Sequence, residues 1–232
     1  MIVYDGKSLE SVANVKIEDV RVSPIDYDPV TRPRAIRGGS EFVRNRAGTR
    51  TVAITFALLD DNKVSRQAQL MAISEWAKTD KDYRLDVPGH PNHFLMCVCT
   101  AKPEPSLRQW WESKLRIVFT CFDNPYWNSV KEKSVACGSS FFVLGDAPPL
   151  MRIEATLDSA LSNQSFSIGS NVMTFSTIPA GQMIIDLNNQ IAVGGGASIM
   201  PYYNVNSRFP IPACGLLTVA GVGTVLYRER WQ

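Results

Sequence analysis

Apolar and polar residues alternate with a period of two along much of this chain, which is the signature of strands. From Thr51 to Leu59, the residues Val52, Ile54, Phe56 and Leu58 fall on one face, and Thr51, Ala53 and Thr55 on the other. Lys114–Cys121 repeats the pattern, with Leu115, Ile117, Phe119 and Cys121 pointing one way and Lys114, Arg116 and Thr120 the other. Phe94–Thr100 is apolar on both faces and predicts a strand covered on both sides. One segment changes period. From about Lys63 to Lys78, Leu70, Ile73, Trp76 and Ala77 recur at helical spacing. Asp60, Asp61 and Asn62 supply caps and negative charge at its start, and Lys78 and Lys81 stand at its end, where the helix dipole favours cations. The first half therefore predicts a sheet with a single helix packed on it.

Beyond Trp127 the segments shorten. Phe141–Leu144, Leu150–Leu157, Gln164–Ile168, Val172–Phe175, Met183–Leu187, Gln190–Val193, Gly215–Val219 and Thr224–Trp231 read as strands. Breaks such as Gly145-Asp-Ala-Pro-Pro149, Gly169-Ser170, Pro179-Ala-Gly181 and Asn188-Asn189 separate them. Many short strands with such turns, and no helical period, predict an all-β sandwich. Ala136-Cys-Gly-Ser-Ser140 reads as a linker or first turn, so the expected domains are 1–136 and 137–232. The fold class is mainly β.

An apolar fraction of 45% and a charged fraction of 20% over 232 residues are those of a globular chain rather than a disordered one. No apolar run approaches the roughly 20 residues that span a bilayer. The opening Met1-Ile-Val-Tyr-Asp-Gly has neither a basic nor an apolar leader region. Synthesis in a cytoplasm, with no membrane partner, is expected. The five cysteines, Cys97, Cys99, Cys121, Cys137 and Cys214, form no CxxC pair and are expected to be reduced and structural. A net charge of +2 names no partner.

The candidates for chemistry are weak. His90 and His93, with Cys97 and Cys99 downstream, raise the idea of a zinc site. Gly89 and Pro91 instead make the segment a turn between strands. Gly194-Gly-Gly196 lacks the Lys-Ser/Thr and the helix that a phosphate loop needs, and reads as a hairpin. No G-x-S-x-G is present, and no motif links either histidine to a serine or cysteine. Asp60, Asp61, Asp146 and Asp158 lie at turns or helix ends, where capping or solvation explains them. No catalytic, cofactor or metal residues are assigned.

The strongest electrostatic feature is Arg32, Arg34, Arg37, Arg44, Arg46 and Arg50, opposed within that segment by Glu41 alone. Gly38-Gly39 and Ala47-Gly48 give it the look of a hairpin arm, over about residues 30–50. Three readings compete: a solvated loop, an arm that docks on a neighbouring subunit, and a nucleic-acid contact.

At Val118-Phe-Thr-Cys-Phe-Asp-Asn-Pro-Tyr-Trp127 the chain resembles the distal tail proteins of long-tailed phages, the siphophage-type tail component family. That family's pattern is an apolar strand ending in cysteine, then Asp-Pro-aromatic-Trp. Cys121, Asp123, Pro125, Tyr126 and Trp127 match it, with Asn124 inserted. Phe122, Tyr126 and Trp127 are expected to lock the strand end while Pro125 turns the chain outward. The Arg/Gly-rich hairpin before Thr51–Leu59, the Trp-bearing helix, Gly145 with Pro148-Pro149, Ser207-Arg-Phe-Pro-Ile-Pro-Ala-Cys-Gly215 and the final Val225–Trp231 follow in the family's order.

The resemblance implies an N-terminal β-sandwich or barrel-like domain with a hairpin arm, then a galectin-like β-sandwich. It also implies a structural virion protein without enzymatic activity or cofactor. Its copies would form a homo-hexameric ring at the distal end of the tail, assembled in the bacterial host's cytoplasm. That ring would join the tail tube protein to the tail-tip hub or baseplate, near the tape-measure protein, with DNA passing only in transit. The second domain would carry receptor-binding or peripheral baseplate proteins. A rival reading from another class is a carbohydrate-binding module for host attachment, for which Tyr202, Tyr203 and Asn204 are the tempting set.

Overall fold

The computed structural model describes residues 1–33, 40–60, 63–103 and 114–232, with backbone alone at 33, 40–41, 44–45 and 63. The expected Asp61 and Asn62 caps, and Arg34 and Arg37, lie outside the described residues. The chain divides into two units, Met1–Trp127 with Gln232, and Asn128–Trp231.

In the first unit the strands are β1 (Val3–Tyr4), β2 (Lys7–Ser8), β3 (Val15–Val22), β4 (Tyr27–Pro33), β5 (Ser40–Ala47), β6 (Arg50–Leu58), β7 (Tyr83–Asp86), β8 (His93–Ala101) and β9 (Lys114–Cys121). The helices are α1 (Leu9–Val12) and α2 (Lys63–Trp76). An open antiparallel sheet runs β3-β6-β9-β8-β7-β1-β2. It has β3 and β2 at its edges, and no barrel closes among the described residues. The alternation that defined β6 and β9 sets their register: Val52 lies opposite Phe119, Ile54 opposite Ile117, and Phe56 opposite Leu115. All six side chains are buried, so matching apolar faces fix the pairing.

The helix seals that face. Ile73, Trp76 and Ala77 are buried, and the Trp76 ring stands edge-on to Tyr4 at 5.6 Å and to Phe119 at 5.9 Å. Its indole N–H donates to the Lys7 carbonyl at 2.9 Å. The Tyr4 hydroxyl donates to the carbonyls of Cys97 (3.1 Å) and Lys78 (3.0 Å), and burial holds its phenol in the neutral form by pushing its pKa up. A buried aromatic cluster with its polar tips satisfied is the arrangement that stabilises most per residue.

Two details differ from the expectation. The helix ends at Trp76, so Lys78 lies beyond it and pairs with Asp5 rather than with helix carbonyls. The short α1, capped where the Ser11 amide donates to Ser8 Oγ at 3.1 Å, is too short to leave a periodic signal. On β8 the face carrying Leu95, Cys97 and Cys99 is buried, while Met96 and Val98 are half-covered.

A short β10 (Trp127–Ser129) stands at the division. The second unit continues with β11 (Lys133–Ala136), β12 (Ser140–Val143), β13 (Ala147–Leu157), β14 (Leu161–Ile168), β15 (Asn171–Ile178), β16 (Gly181–Asp186), β17 (Ile191–Gly194), β18 (Ala197–Ser198), β19 (Gly215–Ala220) and β20 (Thr224–Trp231). One sheet has the order β11-β20-β13-β16-β17-β18 and the other β12-β19-β14-β15. Their inner faces share one core, including Ile153, Ile185 and Val225 from the first sheet and Phe166, Phe175 and Val219 from the second. This is the expected all-β sandwich.

The division falls at Trp127/Asn128, ahead of the expected 136/137. The reason is β11, which pairs with β20 from Lys133↔Tyr227 to Ala136↔Thr224 and so belongs to the second unit. Lys133 also donates to the buried Glu229 carboxylate at 2.6 Å, and the Leu144 amide donates to the same oxygen at 3.0 Å. The glycine run forms the β17–β18 hairpin, with Gly195 and Gly196 at φ 57° and 82°, a backbone that glycine adopts without strain.

Candidate assembly interface

Four of the six arginines belong to described segments, and they separate into two groups. β4 and β5 form a two-stranded ribbon that pairs with no other described strand. The ribbon continues the β3–β6 pairing through a kink. The Ser23 amide donates to the Thr51 carbonyl (2.9 Å), the Asp26 amide to Thr49 (2.9 Å), and the Gly48 amide to Asp26 (2.7 Å). Gly48 is required there, because a Cβ would meet the Asp26 carbonyl oxygen at 2.8 Å.

A bulge decides what each face of the ribbon carries. Val30 lies opposite Arg44, but Thr31 lies opposite Phe42, which leaves Val43 as the extra residue. In a regular strand Phe42, Arg44 and Arg46 would share a side. The bulge moves Phe42 to the other one. By position, Arg32, Arg44 and Arg46 then fall on one face with Asp28 and Glu41, while Tyr27, Pro29, Thr31 and Phe42 fall on the opposite face. Phe42 is 59% exposed and Val43 54%. An isolated hairpin with this much bare apolar surface is marginal in water by itself.

Arg50 stands apart from the arm. It opens β6, is only 4% exposed, and holds its guanidinium 5.7 Å from the centre of the Trp127 ring. Trp127 also stacks on His90 at 4.2 Å. The grouping of all six arginines in one arm therefore fails at Arg50, because the β6 alternation points that residue inward.

The junction signature is partly a core element. Cys121 lies opposite Arg50, and Cys121, Pro125 and Trp127 are buried, with Tyr126 half-buried. Phe122 is 51% exposed, so it does not lock the strand end as expected. Asp123 is exposed; burial, with the Asp123 charge added to it, holds the Asp82 carboxyl above its ordinary range.

The remaining candidates resolve into local structure. The His93 amide donates to the His90 carbonyl at 3.1 Å, making the expected turn, and burial lowers the His93 pKa. No cluster of three or more His, Cys, Asp or Glu that could hold a metal gathers among the described residues. A trough of about 350 Å³ on the outer face of the first sheet contains the ion pairs Lys114–Glu18 (3.0 Å) and Arg21–Asp19 (2.6 Å). A cleft of about 230 Å³ in the second unit holds a bidentate Arg152–Glu132 pair at 2.9 and 3.0 Å. Tyr203 packs against Phe175 (5.7 Å) and Phe209 (5.0 Å) and donates its hydroxyl to Ser207, which leaves Tyr202 as the exposed ring of the sugar-binding set.

Sequence reasoning missed the bare apolar residues. Phe42 and Val43 sit in a stretch read for its charges. The outer face of α2 carries exposed Val64 and Met71 at i, i+7, outside its core stripe.

Among solved structures, a similar fold is found in the Dit protein of phage SPP1. That protein is described as a paradigm of the hub adsorption apparatus in phages infecting Gram-positive bacteria. The superposition has a TM-score of 0.76 and covers 100% of this chain and 98% of that one, at 14% identity. The chain shares the SPP1 Dit fold. The likeness to distal tail proteins expected from the sequence is thus found at the level of fold. Structures of the phage P2 baseplate in its activated conformation, with Ca and with Sr, align over 96% of this chain at 10% identity and a TM-score of 0.44, too low to bear on fold. No family model and no curated protein matches the sequence.

Proposed function

We propose that this chain is a non-enzymatic structural protein of a phage tail, and that its copies close into a hexameric ring at the distal end of the tail tube. The ring joins the tube protein to the tail-tip hub or baseplate, beside the tape-measure protein, and leaves a lumen through which DNA passes. The C-terminal sandwich faces outward and carries peripheral or receptor-binding proteins. Assembly takes place in the host cytoplasm.

The observation that carries this reading is the β4–β5 ribbon, which has no strand partner among the described residues of its own chain and presents Phe42 and Val43 bare. A surface of this kind is covered when a second copy binds head to tail, and a head-to-tail contact repeated around an axis closes a ring. The full-length likeness to SPP1 Dit supports the same reading, since that protein is described as part of a hub. The carbohydrate-binding reading is disfavoured by Tyr203, whose ring and hydroxyl are both engaged in packing.

The charged face of the ribbon gives the test. Arg46 lies opposite Asp28, and Arg44 two positions nearer the tip. Reversing both, Arg44→Glu with Arg46→Glu, is expected to weaken self-association roughly tenfold or more, an effect that shrinks in high salt. Sedimentation velocity at low and high ionic strength reads it. An unchanged oligomer mass in the double variant would remove the arm from the interface.

A further inference from the structure

We propose that Cys97 and Cys121 form a cross-strand disulfide, a site that takes a soluble disulfide such as oxidised glutathione as its oxidant. The two residues sit on neighbouring strands. β8 and β9 pair Cys99↔Phe119 and Val98↔Thr120, so one more step of the same antiparallel register sets Cys97 opposite Cys121. The polar groups of Cys97 turn away from β9: its carbonyl accepts from Tyr4, and the Cys99 amide, two residues on and pointing the same way, donates to Lys78. Toward β9, Cys97 therefore occupies a non-hydrogen-bonded position. There the Cα atoms of an antiparallel pair approach to about 4.5 Å and the side chains lie closest, within the range a disulfide spans.

Both side chains are fully buried on the same core-facing side, and the neighbouring Cys121 thiol acts with burial to push the Cys97 pKa up. Cys99 lies opposite Phe119 and has no cysteine across from it. All five cysteines are free in the structure.

The chemistry balances as thiol–disulfide exchange. One cysteine, as its thiolate, attacks oxidised glutathione and releases one glutathione thiol. The second cysteine then displaces the other glutathione. Two protein thiols become one disulfide, one oxidised glutathione becomes two reduced ones, and the two protons end on the released thiolates. Contact with Cys121 and burial both raise the Cys97 pKa, so the folded protein reacts slowly. Access comes during folding or when the end of β9 opens, since Cys121 is the last residue of that strand.

The bond would tie β8 to the residue just before the Phe122–Trp127 segment and opposite Arg50, where the ribbon is rooted. A chain folded in a reducing cytoplasm and later released would acquire it after assembly. That timing alone rests on the tail-protein reading; the bond itself does not.

The test is to refold the denatured full chain in a mixture of oxidised and reduced glutathione, then map disulfides by differential alkylation and mass spectrometry. The expected product is about 2 Da lighter, with one linked peptide pair containing Cys97 and Cys121. Folded protein in the same buffer should form it at least roughly tenfold more slowly. Oxidation should raise the melting temperature of the N-terminal unit in the natural chain and leave Cys121→Ser unmoved. Five alkylatable thiols after oxidative refolding, or a link through Cys99, Cys137 or Cys214 instead, would overturn the proposal. Neither result depends on whether the chain forms a ring.

Discussion

Replacing Phe119 with alanine should cost the N-terminal unit about 3–5 kcal/mol, the usual range for removing a buried phenylalanine. Phe119 has no exposed surface, lies 4.7 Å from Tyr4 and 5.9 Å from Trp76, and pairs across the sheet with Val52. It therefore joins the helix, the first strand and the central pair of strands in one contact. Close packing leaves no neighbour free to fill the space, because Tyr4 is held by two hydrogen bonds and Trp76 by one. Native-state hydrogen exchange is the suitable probe. Amides of β6 and β9 should lose protection by roughly two to four orders of magnitude, while those of β14 and β15, built on Phe166 and Phe175, keep theirs. Equal loss in both groups would mean that the two units do not unfold separately.

The second large effect concerns assembly rather than folding. Phe42→Asp with Val43→Asp should weaken self-association about 100-fold or more, equivalent to about 3 kcal/mol. Both side chains are more than half exposed in the single chain, so charge there costs the monomer little. In a covered interface the same charges would be buried without partners, which is expensive. The discriminating measurement pairs the melting temperature with the dissociation constant from sedimentation equilibrium. The melting temperature should hold while the dissociation constant rises. A dissociation constant equal to that of the natural chain would show that the apolar tip of the bulge stays in water.

Much of the fold could be read from the chain because it depends on period. β6, β9 and α2 were legible from apolar spacing, since a face that must be buried writes itself into every second or every third-to-fourth residue. The sandwich was legible from short strands between Gly, Pro and Asn turns. β11 was not, because Lys133–Ala136 looks like a linker until its partner β20 is known. Pairing between residues so far apart leaves no local signal.

The candidate site was legible only in part. The arginine-rich hairpin was evident from composition and glycines, but the bulge at Val43 that sorts arginines from Phe42 is a matter of register. Arg50 was misplaced for a related reason. Its charge suggested the arm, whereas it occupies an inward position at the start of β6, where the Trp127 ring lies over it.

Copies of this chain are expected to close into a ring. Negative-stain electron microscopy of the purified natural chain, with its mass measured by light scattering at roughly 50 µM, tests it most directly, since association is governed by mass action. The expected result is closed rings with a central opening and a mass of about six chains of 25.7 kDa each. A single chain of that mass throughout the concentration range, with no ring in the images, would contradict it.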